Sequence, residues 1–426
     1  MMWGKGNYHL VKASYRPGPV AISSLNTFLV YLVQVAIKLA LLVLVAMYLG
    51  PSEFGKFAAL TALAISLGTL STFGLGYIVL RQTAISPEKG ETVLVCTIPA
   101  TILSTAMLMP LYLWLCRNFL ESDTGTLYLL LIGLTEFIFI PLVLACSQRL
   151  QGMDLVPRSQ ALILLPHLFR LVGIVTCFMF FPNESYETYI LVYFLASVVV
   201  LPIALTMIGF LKPFLRSGFP TVSQILGASP FALMRFTSIT PMEIDKTLAL
   251  RLLHQEDAGI YSLAARGFSM AAVPITAIIM SVQPRLIRSM HSDTASLNWM
   301  IVRILAIAGL VGMIAGLAMA AILAPLAQSL MGREFSGIDR TLQLLALAAP
   351  FMAIRIAGGG LLVPLNRPLL RSYIELAGLA VLVSMAIILA SQYDISGLIL
   401  AVIISESGMA LAFLVYLWRW RRKNRN

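Results

Sequence analysis

RFTSITPMEIDKTLALRLLHQEDAGIYSLAARGFSMAAVPITAIIMSVQPR, residues 235–285, is apolar enough to form two membrane helices joined by the short polar turn HQEDAG at 254–259. The same stretch carries Arg235, Glu243, Asp245, Lys246 and Arg266 within or close to the expected hydrocarbon zone. One charge at the centre of a membrane helix costs about 2.5–3.5 kcal/mol on insertion scales. Five such groups in one hairpin predict a polar cavity between helices rather than a lipid-facing surface.

Working outward, the composition agrees. Of 426 residues, 59% are hydrophobic and 12% charged, and the mean hydropathy is +0.89. Soluble domains carry about 25% charged residues, so half that value, with repeated long apolar runs, predicts an all-α polytopic membrane protein. Twelve spans are expected, at about 26–49, 57–80, 92–116, 126–148, 159–181, 188–211, 229–251, 258–283, 299–328, 341–365, 372–391 and 395–418. Residues 1–25 are basic and polar and lack the apolar core of a signal peptide, so the first run is read as a retained span.

Charge asymmetry sets the expected orientation. Loops after odd-numbered spans hold five basic residues (Lys56, Arg117, Arg251, Arg333 and Arg340), whereas the opposite side holds eighteen, including Arg81, Arg149, Arg285, Arg367, Arg371 and the WRWRRKNRN tail. This bias predicts both termini on the cytoplasmic side. It also accounts for the formal charge of +11 as topology and contact with anionic lipid, not nucleic-acid binding.

The opening hairpin has an earlier counterpart. LGPSEFGKFAAL at 49–60 and LHQEDAGIYSLA at 253–264 align at an offset of 204, placing Leu49 on Leu253, Glu53 on Asp257, Gly55 on Gly259 and Phe57 on Tyr261. Arg81 falls on Arg285. Each copy starts a set of six spans pointing the same way, which predicts a parallel repeat of two six-helix lobes, as transporters commonly use. The expected division is a cytoplasmic segment 1–25, an N-lobe 26–211, a linker 212–228, a C-lobe 229–418 and a basic tail 419–426. A related turn, GREFSG at 332–337, joins spans 9 and 10. Gly312, Gly316 and Ala320 form a small-residue face suited to close helix packing.

Within the spans lie seven basic residues (Lys38, Arg170, Arg235, Lys246, Arg266, Arg303 and Arg355) and five acidic ones (Glu136, Glu243, Asp245, Glu375 and Glu406). Arg303 and Glu375 sit about one turn from the inner ends, within snorkelling reach. Lys38, Glu136, Arg170, Arg355 and Glu406 sit near mid-span. Arg235 and Lys246, eleven residues apart, are expected on one helix face, bent by Pro241 between them, and Glu243 is placed to pair with Lys246. Internal pairing would hold helices together. A basic excess would instead line a cationic cavity, since arginine stays charged when buried and matches phosphate bidentately. His167, one turn before Arg170, is read as a packed residue.

Several classes are excluded. There is no GxxxxGK[ST], HExxH or GxSxG motif, the expected outer loops have about ten residues or fewer, and no enzyme activity is expected. No cofactor or metal is expected either, because Cys96, Cys116, Cys146 and Cys177 lack ligand spacing and read as packing residues. The NES sequon at 183–185 is a chance-level match.

AMYLGPSEFGKFAALTALAISLGTLSTFGLGYIVLRQ at 46–82, EDAGIYSLAAR at 256–266, the Pro284–Arg285 pair and the segment after Arg340 together resemble the polysaccharide transporter family. These are the O-antigen-type (Wzx-like) flippases of the MATE-like MOP superfamily. The resemblance implies two lobes around a central cavity and alternating access, moving undecaprenyl-pyrophosphate-linked sugar units between leaflets of the bacterial inner membrane. It implies membrane lipids as surroundings, and a polysaccharide polymerase and chain-length regulator as candidate partners of a monomer. Charged cavity positions vary within the family, so only a basic lining is carried over. The expected substrate-binding residues are Arg235, Arg266, Arg170, Arg355, Lys246 and Lys38, with Asp245, Glu136 and Glu406 as ion-coupling candidates. The competing expectations are a MATE-like H⁺- or Na⁺-coupled drug or cation antiporter, whose cavity should be net acidic, and a scaffold for a synthase complex.

Overall fold

The computed structural model describes residues 17–181, 186–209, 218–279, 294–365 and 367–423, with side chains from 33 onward except at 294–298 and 423. Almost everything described is helical. Helix α1 (Pro17–Gly68) is followed by α2 (Leu75–Ile85), α3 (Pro87–Trp114), α4 (Thr126–Leu134), α5 (Ile140–Gly152), α6 (Val156–Phe180), α7 (Tyr186–Met207), α8 (Val222–Ile239), α9 (Ile244–Leu252) and α10 (Gln255–Ser269). After a helical stretch at 272–279 come α11 (Thr294–Ala318), α12 (Ala324–Met331), α13 (Ile338–Ala346), α14 (Ala349–Leu362) and α15 (Pro368–Lys423).

The expected twelve spans are not twelve separate helices. Among the described residues, eight are long and apolar enough to cross a membrane, or nine when α13 and α14, bent by 48°, count as one. Some turns are too tight to end a helix. In α1 only Gly50 leaves helical geometry, with φ 71° and Pro51 starting the next limb. Before it, Gln34 Nε2 donates to Gln160 O at 2.9 Å and Tyr48 OH to Phe181 O at 2.7 Å, so the first limb runs parallel to α6. After it, Lys56 pairs with Asp123 and Gly68 lies against Glu136, so the second limb follows α4, which returns the other way. The left-handed backbone that allows this reversal favours glycine. In α15, Tyr393 and Asp394 are non-helical. A Cβ on Gly397 would meet Ala390 N at 2.8 Å, and Ser405 Oγ donates to Gly378 O, so α15 is an antiparallel hairpin.

Two further spans are broken within the membrane. The second limb of α1 ends at Gly68, and Phe73 (φ 50°) and Gly74 (φ 80°) turn the chain into α2. Pro241, which has no N–H and clashes with the preceding turn, sits in a 3-10 turn at Thr240–Met242 between α8 and α9. The N-terminus of α8 is closed by a capping box between Thr221 and Gln224.

The two halves meet chiefly through α1 and α2 on one side and α8, α9 and α10 on the other. These are the two copies of the sequence repeat. A Cβ on Gly55 would come within 2.8 Å of Gly259 N, and one on Gly259 would collide with Pro51 O. Ser52 Oγ donates to Gln255 Oε1 at 2.9 Å, and Thr247 Oγ1 to Ala59 O at 3.2 Å. Around them Ala58, Leu60, Leu63, Ile260, Leu263 and Ala264 form one buried apolar cluster. We call this the glycine end, and the opposite end, with Arg149, Arg371 and Arg422, the basic end. Arg285, the N-glycosylation-type triplet at 183–185, and the first 16 residues lie outside the described residues. Gly312 and Gly316 pack against Ala353 and Ala346, so close packing of α11 on the α13–α14 pair accounts for that small-residue face. The chain is a multi-pass membrane protein.

Candidate functional site

Between the halves, on the basic side of the glycine contact, lies a cavity of about 450 Å³. Its walls come from the end of α1, from α2, from α4–α5, from α8 and from the start of α15, and the broken helices are what open it. At its deep end are Ile65, Gly68 and Glu136; toward the basic end are Tyr77, Gln148, Phe231 and Arg371.

Arg235 projects into this cavity from α8 and makes no hydrogen bond or ion pair among the described residues. Arg371, counted by sequence among the loop residues, also lines it. Its Nη2 donates to Ser238 Oγ at 2.7 Å and its Nε to Glu375 Oε1 at 3.0 Å. Glu375 does not snorkel. It is 1% exposed and also accepts from Thr237 Oγ1 and Ser238 Oγ. The i, i+4 spacing of Arg371 and Glu375 was the signal available in sequence for a held arginine at this position.

Glu136 lies on the cavity floor within a π-helical turn, Thr135–Phe139, a distortion common at functional sites. It accepts from Tyr193 OH and lies 3.9 Å from Arg170 Nη2. Arg170 is itself stacked on the Tyr193 ring at 3.6 Å and donates to Ser197 Oγ at 3.0 Å. Arg266 reaches across the halves from α10 to donate to Thr61 Oγ1 at 2.8 Å. Arg266 and Glu243 both lie within electrostatic range of Glu136. Arg170 and Arg266 are therefore neighbours of the cavity floor, behind Glu136, and not among the residues that line the cavity.

The other expected residues are placed elsewhere. Pro241 breaks the helix, so Arg235 faces the cavity while Lys246 does not: Lys246 is 1% exposed and is held by Met242 O, by Asp245 Oδ1 at 3.1 Å and by Glu243 at 3.6 Å. The expected shared face of Arg235 and Lys246 is thus replaced by two separate settings, while the Glu243–Lys246 pairing is present. Asp245 also accepts from Tyr261 OH at 2.8 Å. Arg355 and Glu406 form a buried pair, Nε to Oε2 at 2.6 Å, joining α14 to the second limb of α15. Lys38 makes no ion pair among the described residues and lies within electrostatic range of His167, on the α6 side of α1.

Among the described residues, the cavity floor thus holds one carboxylate already matched by an arginine and a tyrosine, while one guanidinium without a partner and one partly paired guanidinium remain in the cavity itself. That arrangement suits an anion.

A model of the family described as "Polysaccharide biosynthesis protein" matches residues 22–290, well over half the chain. The chain belongs to this family. The match covers the first repeat, the cavity floor and the second repeat, so every cavity element except the start of α15 falls within it. No curated protein sequence matches this family member significantly. Among solved structures, it is similar to an inward-facing multidrug resistance MATE family transporter of the MOP superfamily, at 15% identity over 94% of this chain and 98% of that one, TM-score 0.70. It is also similar to the lipid II flippase MurJ in an inward closed conformation, at 13% identity over 93% and 87% of the chains, TM-score 0.70. A third is a MOP superfamily transporter from Pyrococcus furiosus described by the reverse polarity of its binding pocket, at 16% identity over 95% of each chain, TM-score 0.66. Identities this low establish the fold alone: this polysaccharide biosynthesis family member has the MOP transporter fold.

Proposed function

We propose that the protein is a flippase with no covalent chemistry, moving undecaprenyl-pyrophosphate-linked oligosaccharide units from the inner to the outer leaflet of the bacterial cytoplasmic membrane for surface polysaccharide assembly. The observation that carries this reading is Arg235, a guanidinium without an ion-pair partner among the described residues, in an inter-half cavity whose one carboxylate among those residues, Glu136, is already matched. A cation held there without a partner is expensive, and a phosphate group supplies the missing counter-charge with bidentate geometry. Arg371, pre-oriented by Glu375 and Ser238, offers a second donor.

With the basic end taken as cytoplasmic by the positive-inside bias, the cavity faces the leaflet where such lipids are made. The glycine contact then closes the outer side. The six-helix lobes 26–211 and 229–418, joined through 212–228, rock about that contact while the polyprenyl tail stays in lipid. Family membership supports the polysaccharide setting, and likeness to a lipid II flippase supports a lipid-linked cargo. A polymerase and a chain-length regulator are the partners to seek.

The test is Arg235→Ala in a strain that depends on this chain for surface polysaccharide. Export should fall to background, with lipid-linked intermediates accumulating and the protein still present in the membrane. Normal polysaccharide in that strain would overturn the assignment. Drug resistance on overexpression, abolished by Glu136→Gln, would instead support an antiporter.

A further inference from the structure

The two walls of the cavity differ in chemistry. The wall from α8 and α15 carries both arginines, Arg235 and Arg371. The facing wall, from α1–α2 and α4–α5, carries no cation among the described residues, and its one carboxylate there, Glu136, is engaged. That neutral wall is not bland. The Tyr77 hydroxyl, the Gln148 amide and the Thr72 hydroxyl all line the cavity, yet none makes a hydrogen bond among the described residues. All three residues are partly exposed at the cavity wall, so their polar groups are open to water or to a polar ligand that enters the cavity.

Two features add shape to that surface. The Tyr77 ring is stacked on Phe231 of α8, centroids 4.1 Å apart and 23° from parallel, giving a flat aromatic ledge across the seam. The Gln148 amide lies directly against Gly76 of α2, where a Cβ would have to displace its Oε1. A neutral ledge with an amide and two hydroxyls matches a carbohydrate ring, which has an apolar C–H face for an aromatic ring and vicinal hydroxyls for an amide's donor and acceptor. A bare phosphate has no use for either feature. Phe231 precedes Arg235 by four residues, one helical turn of about 5.4 Å, which sets the ledge beside the cation as a sugar is set beside its anomeric phosphate.

We propose that Tyr77, Gln148 and Thr72, with Phe231, form a sugar-reading wall that holds the first carbohydrate ring while Arg235 and Arg371 hold the phosphate. This division of labour rests on the cavity being a site for a lipid-linked saccharide phosphate. It makes the N-terminal half, with one aromatic ring from α8, the source of sugar selectivity.

The experiment compares two probes on the full-length protein in nanodiscs: polyprenyl diphosphate, and the same lipid bearing one N-acetylhexosamine. Wild type should bind the sugar-bearing probe about tenfold more tightly, equivalent to about 1.4 kcal/mol. Tyr77→Ala and Gln148→Ala should each remove most of that preference while leaving affinity for the sugarless probe within about twofold, and Tyr77→Phe should retain the greater part. Arg235→Ala should weaken both probes equally. No preference in wild type, or equal loss for both probes in Tyr77→Ala, would overturn the sugar-reading wall while leaving the phosphate reading intact. Failure of Arg235→Ala to weaken either probe would overturn the phosphate reading itself.

Discussion

Gly55 and Gly259, equivalent positions in the two copies of the sequence repeat, lie backbone against backbone where the halves meet: a Cβ on Gly55 would stand 2.8 Å from Gly259 N. A repeat that is barely visible in the alignment of residue types is thus a self-contact in space. Both glycines are needed for the approach, and the neighbouring Ser52–Gln255 and Thr247–Ala59 hydrogen bonds complete it.

The first prediction concerns that contact. Gly259→Val should prevent full approach of the two limbs, because its side chain would be driven into Pro51 O. Overpacking of this kind costs about 1–3 kcal/mol. Surface polysaccharide should fall sharply with the protein still inserted, and normal export would show that the contact does not need to form. In a background without the four native cysteines, Ser52→Cys with Gln255→Cys should cross-link under oxidation and block export, and reductant should restore it.

Arg355 provides a contrast with Arg235. Arg355→Ala leaves Glu406 buried without its partner, and breaking a buried pair costs about 3–5 kcal/mol. The detergent-solubilised protein should melt at a clearly lower temperature. Arg355→Met combined with Glu406→Met should recover most of that loss, as apolar replacement of a buried pair often does. Arg235→Ala should leave the melting temperature unchanged or raise it, since it deletes a cation that has no partner among the described residues. The two measurements would separate arginines that hold the fold from one that faces the cavity.

Lys246 falls in the structural class with Arg355. Lys246→Met removes the counter-charge of Asp245, whose remaining donors are the Lys246 backbone N–H and Tyr261 OH. We expect reduced yield and stability by about 2–4 kcal/mol, with partial rescue by Asp245→Asn in the same chain. Full stability of the single variant would show that Asp245 needs no cation.

Arg371 is expected to act through its anchoring. Glu375→Gln keeps the side-chain shape but weakens the charge-assisted bond to Arg371 Nε, by about 1–2 kcal/mol. Export should fall several-fold, whereas Arg371→Ala should abolish it. Equal, wild-type export in both variants would remove Arg371 from the site.

The apolar runs, the low charge content and the repeat of LGPSEFGKF with LHQEDAGIY were legible in sequence, and they determined a helical membrane protein whose two halves start with related hairpins. Local pairing was legible too: Glu243 lies three residues from Lys246, and Arg371 four from Glu375, so helix periodicity brings each pair together. Which charges remain free was not legible. Arg355 is neutralised by Glu406, 51 positions away, and Arg170 shares Glu136 with Tyr193 on a third helix, so only through-space packing could reveal that these cations are spoken for. Only the tertiary structure likewise placed Tyr77, Gln148 and Phe231 around one cavity, because uncharged side chains on different helices leave no periodic signal of a common wall. Burial makes a lone charge conspicuous in a sequence, but it takes the fold to show whether that charge has an answer.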